Sequence, residues 1–84
     1  MAQPSVKLYA LSTCGHCRNA KRLLDECSVV YEVVHVDLTA GEERQAILDE
    51  LRHVNPSTSF PTIVIGDTII VGYKENEIKE ALGL

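Results

Sequence analysis

The hydrophobic pattern of the first third predicts a strand followed by an amphipathic helix. The run from Val6 to Leu11 is short, mostly apolar and β-branched at its start, which is typical of a strand. From Cys14 to Cys27, apolar residues recur at intervals of three and four positions, as on one face of a helix. Ser12 and Thr13 stand just before this segment, and their hydroxyl groups predict the N-terminal cap of the helix.

The middle third predicts a second strand and a second helix. The segment from Val29 to Asp37 is rich in valine and carries apolar residues on both faces, which indicates a strand buried on two sides, as in a parallel pair. Thr39 followed by Glu42 resembles a capping box, so a helix is predicted to begin there and to extend to about Val54.

The last third predicts a hairpin and a final helix. Two short apolar runs, Thr62–Ile65 and Thr68–Val71, flank Gly66-Asp67, a pair that suits a two-residue turn. Gly72 ends the second run, and a helix is expected from about Lys74 to Leu82. The order is β-α-β-α-β-β-α, which predicts an α/β fold with helices packed on a four-stranded mixed sheet.

Length and composition narrow the function. The chain has 84 residues, so we expect one domain over residues 1–84. A formal net charge of −4 disfavours nucleic-acid binding, and no apolar run approaches the length of a membrane span. The N-terminal residues lack the basic and apolar regions of a secretory leader. We therefore expect a cytoplasmic monomer with reduced thiols and no membrane or nucleic-acid partner.

The candidate chemistry lies in Cys14-Gly15-His16-Cys17, where the first strand gives way to the first helix. A helix N-terminus offers unpaired N–H groups and a partial positive charge, which favour the thiolate form of Cys14. Cys17 lies one turn further and is expected to be more buried. This asymmetry suits disulfide exchange, in which one thiol attacks and the other resolves the mixed disulfide. Protonated, His16 would add a cation beside the thiolate and raise the reduction potential.

A Cys-x-x-Cys pair also occurs in metal sites, so two metal functions stay open. A structural zinc site needs four ligands, and Cys27, His35 and His53 show no paired ligand spacing. A small metal carrier would place the pair before its first helix too, but such carriers have the order β-α-β-β-α-β. Cys27 is expected to be a buried core residue. Pro61 directly precedes the third strand, where a proline marks a strand entry, ordinarily with a trans bond.

Taken together, these features resemble the glutaredoxin branch of the thioredoxin superfamily. The matching pieces are Thr13-Cys14-x-x-Cys17 after the first strand, Phe60-Pro61-Thr62 before the hairpin, and Gly72 before the last helix. The similarity extends from Val6 to Leu84. It implies a thioredoxin-like fold and a thiol–disulfide oxidoreductase of protein disulfides, regenerated by glutathione or by a reductase of the thioredoxin reductase type, with no bound cofactor.

The resemblance also implies roles for single residues. Cys14 falls on the nucleophile and Cys17 on the resolving thiol, while Pro61 falls on a cis proline that faces the disulfide. Phe60, with Thr62 and Gly72, falls on the residues that bind an extended substrate. A glutathione-bridged iron–sulfur carrier is the alternative within the same branch.

The chain departs from the glutaredoxin pattern at three places. Gly15-His16 replaces the usual Pro-Tyr and matches the pair of protein disulfide isomerase domains, which are relatively oxidising. Leu11 stands where the family tends to place a lysine, and Lys74 stands close to the usual aspartate that holds glutathione. Glu75, one residue later, would replace that aspartate in part. We therefore expect poor use of glutathione.

Overall fold

The first strand organises the sheet. The computed structural model describes residues 5–83, so the expectations for Met1–Pro4 and Leu84 lie outside the described residues. Within that part, β1 (Val6–Ala10) pairs in parallel with β2 (Glu32–His35) and antiparallel with β3 (Thr62–Ile65). β3 pairs antiparallel with β4 (Thr68–Val71), which gives the strand order β2-β1-β3-β4. The predicted four-stranded mixed sheet of an α/β, thioredoxin-like fold is confirmed.

Three helices cover the sheet within residues 5–83. They are α1 (Gly15–Glu26), α2 (Gly41–Val54) and α3 (Glu75–Ala81), in the predicted order with the strands. The main hydrophobic core is formed by β1, α1, β3, β4 and α3, and its fully inaccessible members are Leu8, Ala20, Leu24, Ile63 and Ile78. Leu51 of α2 is also fully buried. None of these helices is long and apolar enough to cross a membrane.

The predicted cap of α1 is wrong. The N-cap residue is Cys14, and its side chain accepts a hydrogen bond from the backbone N–H of Cys17. Ser12 does not cap the helix because its N–H and hydroxyl both donate to the carboxylate of Asp37. Cys27, predicted to be buried, is the half-buried C-cap of α1 and packs against the edge of the core.

The second strand and the second helix begin later than predicted. β2 is an edge strand, half-buried from its second residue onward, because only β1 pairs with it and a short 3-10 helix takes over at Val36–Leu38. The capping box does not form. The hydroxyl of Thr39 donates to the carbonyl of Val36 at 2.7 Å, and the N-cap of α2 is Ala40, with no side-chain cap.

The hairpin forms as predicted, with Gly66 and Asp67 alone between β3 and β4. Gly66 takes a φ of +59°, a left-handed conformation that glycine adopts at little cost. The final helix is one residue shorter at each end than predicted. Ile78 is buried as expected, whereas Ala81 and Leu82 are only half-buried at the edge of the core.

A polar cluster attaches α2 to the sheet. Tyr9, only 2% exposed, donates its hydroxyl to the carboxylate of Glu50, and Lys7 Nζ lies 2.5 Å from the same Glu50 oxygen. These hydrogen bonds hold the pKa of Glu50 below its usual value, and the bond from Lys7 has a larger effect than the bond from Tyr9. Burial and the bond to Glu50 raise the pKa of Tyr9 to about 12, so the hydroxyl stays a donor at neutral pH.

We expect Glu50→Gln to destabilise the protein at neutral pH and not in acid. The pKa of Glu50 is depressed in the folded state, so its stabilisation is present above the ordinary glutamate pKa and disappears as the pH falls through the folded-state value. The free energy of unfolding at pH 7 should fall by only about 0.5–1 kcal/mol, because the Glu50 carboxylate is half exposed and screened by solvent. Urea unfolding of both proteins from pH 7 downward measures it. Glu80→Gln on α3 is the control, and an equal loss there would contradict the assignment.

Candidate active site

The thiol of Cys14 takes the place of a capping hydroxyl at the start of α1. After β1 ends at Ala10, the carbonyl of Leu11 accepts the N–H of Cys14 at 3.2 Å. The sulfur of Cys14 accepts a hydrogen bond from the N–H of Cys17 at 3.2 Å. The backbone carbonyl of Cys14 accepts one from the N–H of Arg18 at 3.1 Å. The first turn of α1 carries no acidic residue. The sulfur therefore faces a backbone donor and the positive end of the helix, both of which stabilise a thiolate.

The two thiols differ in exposure. Cys14 is half-buried, whereas Cys17 is 3% exposed and belongs to the hydrophobic core. Burial, followed by the hydrogen bond with Cys14, raises the pKa of the Cys17 thiol to about 12. Cys17 is therefore protonated at neutral pH. The two cysteines are not joined in this structure, so it corresponds to the dithiol form.

We expect iodoacetamide to modify Cys14 at least about 100-fold faster than Cys17 at neutral pH, because the reagent attacks only an accessible thiolate. Peptide mass spectrometry of samples quenched over time measures both rates in one protein. Cys27, half-buried at the other end of α1, is the internal control and should lie between them. Faster modification of Cys17 than of Cys14 would contradict the asymmetry described above.

The loop before Cys14 is fixed by a residue that the sequence did not single out. Both oxygens of Asp37 accept from Ser12, one from its N–H at 2.9 Å and the other from its hydroxyl. These bonds hold the pKa of Asp37 below its usual value, so the link is present at neutral pH. Asp37 directly follows the buried Val36, and it thereby joins the end of β2 to the active-site loop across a separation of 25 residues.

The segment before β3 forms the second part of the candidate site. The Phe60–Pro61 peptide bond is cis, as the resemblance implied, and Pro61 and Thr62 are both buried. The N–H of Gly72, at a φ of +93°, donates to the carbonyl of Pro61 at 2.8 Å and so connects this segment to the end of β4. The backbone N–H and carbonyl of Phe60 make no hydrogen bond within residues 5–83, which leaves both groups available to a ligand.

Asn55 supports this segment from the end of α2. Its side chain is 5% exposed and donates from Nδ2 to the hydroxyls of Thr62 at 3.0 Å and Ser59 at 3.1 Å. The hydroxyl of Thr62 in turn donates to the carbonyl of Ser59 at 2.7 Å. The only signal for this role in the sequence is the position of Asn55 shortly before Phe60-Pro61-Thr62.

The sheet brings the Cys14 segment and the Pro61 segment to the same end, where β1 ends and β3 begins. Thr62 is the register partner of Tyr9 in the antiparallel pair, so the chain leaving β1 toward Cys14 lies beside the chain entering β3 from Pro61. Cys14 and Phe60 pack against the same hydrophobic core, which includes Cys17. Direct contact between Pro61 and the cysteines stays a prediction. His16 is exposed and lines a shallow depression with Gly15 and Arg18.

Metal-ligating side chains do not gather elsewhere in the described chain. Within residues 5–83, no group of three or more histidine, cysteine or acidic side chains is placed to hold a metal ion. Cys14 and Cys17 are the pair that would bind one, and two thiols alone fall short of a structural zinc site.

Comparison with known proteins gives one family. The glutaredoxin family profile matches residues 6–70. Glutaredoxin 1 of Rickettsia felis is 39% identical over 68 residues, which cover 81% of this chain and 63% of that protein. The chain thus spans less than two thirds of this relative, and its match to glutaredoxin 1 of Rickettsia typhi covers 42% of that protein.

Solved structures show the same fold. Methanoredoxin of Methanosarcina acetivorans superposes with a TM-score of 0.92 at 37% identity, covering all of this chain and 97% of that one. A glutaredoxin of Methanosarcina mazei gives a TM-score of 0.89 at 44% identity and covers 96% of this chain and 80% of the other. These likenesses support the arrangement of the four-stranded sheet and its three helices.

Proposed function

Because the chain belongs to the glutaredoxin family, we propose that it is a dithiol oxidoreductase that exchanges the Cys14–Cys17 pair with protein disulfides. The observation that supports this most strongly is the unequal pair of thiols. Cys14 caps α1 with its sulfur and is accessible, whereas Cys17 is buried one turn away and donates its backbone N–H to that sulfur. Disulfide exchange needs such a pair, with one thiolate to attack and a second thiol held within reach.

In the first step, the thiolate of Cys14 attacks one sulfur of the substrate disulfide. A bond forms between Cys14 and that sulfur, the substrate S–S bond breaks, and the other substrate sulfur leaves as a thiolate. The N–H of Cys17 and the N-terminal end of α1 stabilise the negative charge of the Cys14 thiolate before the step. After the step Cys14 is a neutral disulfide, and the charge lies on the departing substrate sulfur.

In the second step, Cys17 resolves the mixed disulfide. Two of the causes that raise the pKa of Cys17, its hydrogen bond with Cys14 and the charge on Cys14, are removed once Cys14 is bonded to the substrate. The departing substrate thiolate takes the Cys17 proton, and the Cys17 thiolate attacks the Cys14 sulfur. The Cys14–Cys17 disulfide forms, the second substrate thiol is released, and two electrons have passed to the substrate. The hydrogen bond with Cys14 and the charge on Cys14 thus keep Cys17 protonated until Cys14 has reacted.

Phe60, Pro61, Thr62 and Gly72 form the substrate platform in this proposal. The unpaired N–H and carbonyl of Phe60 match the hydrogen-bonding groups of an extended polypeptide, which would pair with the backbone of Phe60 as a neighbouring strand does. The buried bonds of Asn55 to Thr62, and of Gly72 to Pro61, hold that backbone in place. Binding through backbone groups accepts many sequences, which suits a protein that acts on disulfides of different partners.

The Gly15-His16 spacer suggests a relatively oxidising site, like that of protein disulfide isomerase domains. His16 is exposed beside the thiols, so when protonated it would favour the Cys14 thiolate and hence the dithiol form. The reductant that regenerates the dithiol is either a glutathione-type thiol or a protein reductase. The metal-carrier alternative is not favoured, since the described elements have the order β-α-β-α-β-β-α and not the β-α-β-β-α-β order of those carriers.

The test is direct electron transfer. Reduced protein is mixed with an equimolar protein disulfide, and after acid quenching both partners are analysed by intact mass. We expect one Cys14–Cys17 disulfide to form for each substrate disulfide lost. Absence of transfer, together with tight stoichiometric binding of Cu(I) by the reduced pair, would replace the proposed function with metal carriage. Visible absorbance of an iron–sulfur cluster in the purified protein would indicate the glutathione-bridged carrier.

A further inference from the structure

The middle of α1 carries three exposed cations, Arg18, Lys21 and Arg22. Lys21 and Arg22 follow Arg18 by three and four residues, so all three lie on one side of the helix. None of them forms an ion pair or a side-chain hydrogen bond within residues 5–83. We call these three residues the cationic face. The chain as a whole has a net charge of −4, so this concentration runs against its overall balance.

Stability does not explain the cationic face. Like charges at helix spacings of three and four destabilise a helix, and a cation near the helix N-terminus opposes the macrodipole. Arg52, Lys74 and Lys79 form ion pairs with acidic residues at the same spacings. Asp25 and Glu26 stand at these spacings from Lys21 and Arg22 but form no ion pair with them, and Asp25 accepts the hydroxyl of Tyr31 instead. The carboxylate of Asp37 is held by Ser12 at both oxygens. Within residues 5–83, the charges on α1 are thus left without a partner.

Two surface depressions adjoin the cationic face, one lined by the Gly15-His16 spacer and the other by Cys17. One, of about 500 Å³, runs from Gly15 and His16 to Arg22. The other, of about 210 Å³, has Cys17 and the apolar Leu11 among its lining and Lys21 at its rim. Arg18 lines both. A polypeptide whose disulfide lies at Cys14 would therefore extend along one of these depressions and pass the cations.

We propose that the cationic face binds an acidic segment next to the disulfide of the substrate protein, so that this protein prefers disulfides with acidic flanks. This inference rests on the proposed function and specifies its substrate class. Charge complementarity identifies the occupant: three unpaired cations beside the nucleophile attract carboxylates and repel basic segments. In a reaction limited by encounter, such attraction acts on the association rate and weakens as salt screens it.

The test compares three substrates with reduced protein. Two are disulfide peptides of equal length, one with glutamates and one with lysines beside the disulfide, and the third is neutral hydroxyethyl disulfide. At low salt we expect the acidic peptide to react about tenfold faster than the basic one. The ratio should approach one at high salt, and should fall markedly in Lys21→Glu and in Arg22→Glu.

Arg52→Glu on α2 makes the same charge change away from the site and should keep the wild-type ratio. Arg52→Glu should also reduce hydroxyethyl disulfide at the wild-type rate. In the α1 variants, each peptide rate is divided by the hydroxyethyl disulfide rate of the same protein, since that substrate carries no charge and reports the reactivity of Cys14 alone. Equal rates for the two peptides in the wild type, or an unchanged ratio in both α1 variants, would overturn the acidic preference and leave the proposed function intact. Failure of the wild type on all three substrates would overturn the proposed function itself.

Discussion

Cys14→Ser is expected to lose all reduction of protein disulfides, whereas Cys17→Ser is expected to stop one step later and accumulate a mixed disulfide. Serine cannot form the bond to substrate sulfur, so the first variant never enters the reaction. In the second, the backbone N–H of residue 17 still donates to the Cys14 sulfur, and the nucleophile keeps its helix cap. Only the resolving thiol is missing. Intact mass under non-reducing conditions should show nearly stoichiometric Cys14–substrate adduct in Cys17→Ser and none in Cys14→Ser.

Cys27→Ser is the matched control, because it removes the third thiol at the opposite end of the same helix. It should turn over at the wild-type rate and show no adduct. Stable trapping by Cys14→Ser would reverse the order of attack and make Cys17 the nucleophile, despite its burial. Adducts in both single variants would mean that neither thiol is reserved for resolution.

The order of elements was predictable because each one has its own periodicity or punctuation. The hairpin bounds were predicted to the residue, since Gly66-Asp67 permits a turn that few other pairs do. The site was placed by the same logic, as the pair begins where a strand pattern gives way to a helical one. The hairpin and the cysteine pair could both be located because each depends on residues that are neighbours in the sequence.

The errors come from interactions between distant segments. Ser12 is a good N-cap residue by propensity, but Asp37 takes both of its donors and leaves the cap to Cys14. A valine-rich run does not show whether a strand lies at the edge of a sheet, and so β2 was predicted as longer and more buried than it is. Asn55 reaches Thr62 only because α2 ends beside the cis-proline segment. Each of these depends on the assembled fold.

Glutathione is a demanding ligand for the groups that this chain provides. It carries two carboxylates and one ammonium, so tight binding needs cations, an acidic group and free backbone N–H groups. Leu11 is apolar where the family places a lysine, and Lys74, the N-cap of α3, stands near the usual aspartate. The N–H of Gly72 is already donated to Pro61.

Glu75 would have to replace the missing aspartate, but its carboxylate is occupied. Glu75 accepts hydrogen bonds from the hydroxyl of Tyr73 at 3.1 Å and from Lys79 at 3.3 Å. These bonds hold the pKa of Glu75 below the usual value, and the bond from Tyr73 has the larger effect. The charge of Glu75 is already paired with Lys79, so Glu75 would attract the ammonium of glutathione less strongly than an unpaired carboxylate. The ammonium would also meet the positive charge of Lys74 one residue away.

We therefore expect kcat/KM with glutathione to rise at least about tenfold in the double variant Leu11→Lys with Lys74→Asp. A well-placed charged contact contributes about 1.5–3 kcal/mol, and 1.4 kcal/mol is a factor of ten. Two changes together therefore exceed that factor even if only one contact forms well. Turnover is followed in an assay coupled to glutathione reductase, beside an assay with thioredoxin reductase and a protein disulfide.

The control for this gain is Arg52→Asp, which adds an acidic residue on α2 and should leave glutathione turnover unchanged. Turnover in the thioredoxin reductase assay should stay near the wild-type value in the double variant, because Cys14, Cys17 and the backbone of Phe60 are untouched. Efficient, saturable turnover of the wild type at millimolar glutathione would contradict the expectation. The cations of α1 and Glu75 would then supply the contacts that Leu11 and Lys74 lack. In that case Lys21→Glu would weaken glutathione use, because the charge that attracts acidic segments would also hold the glutathione carboxylates.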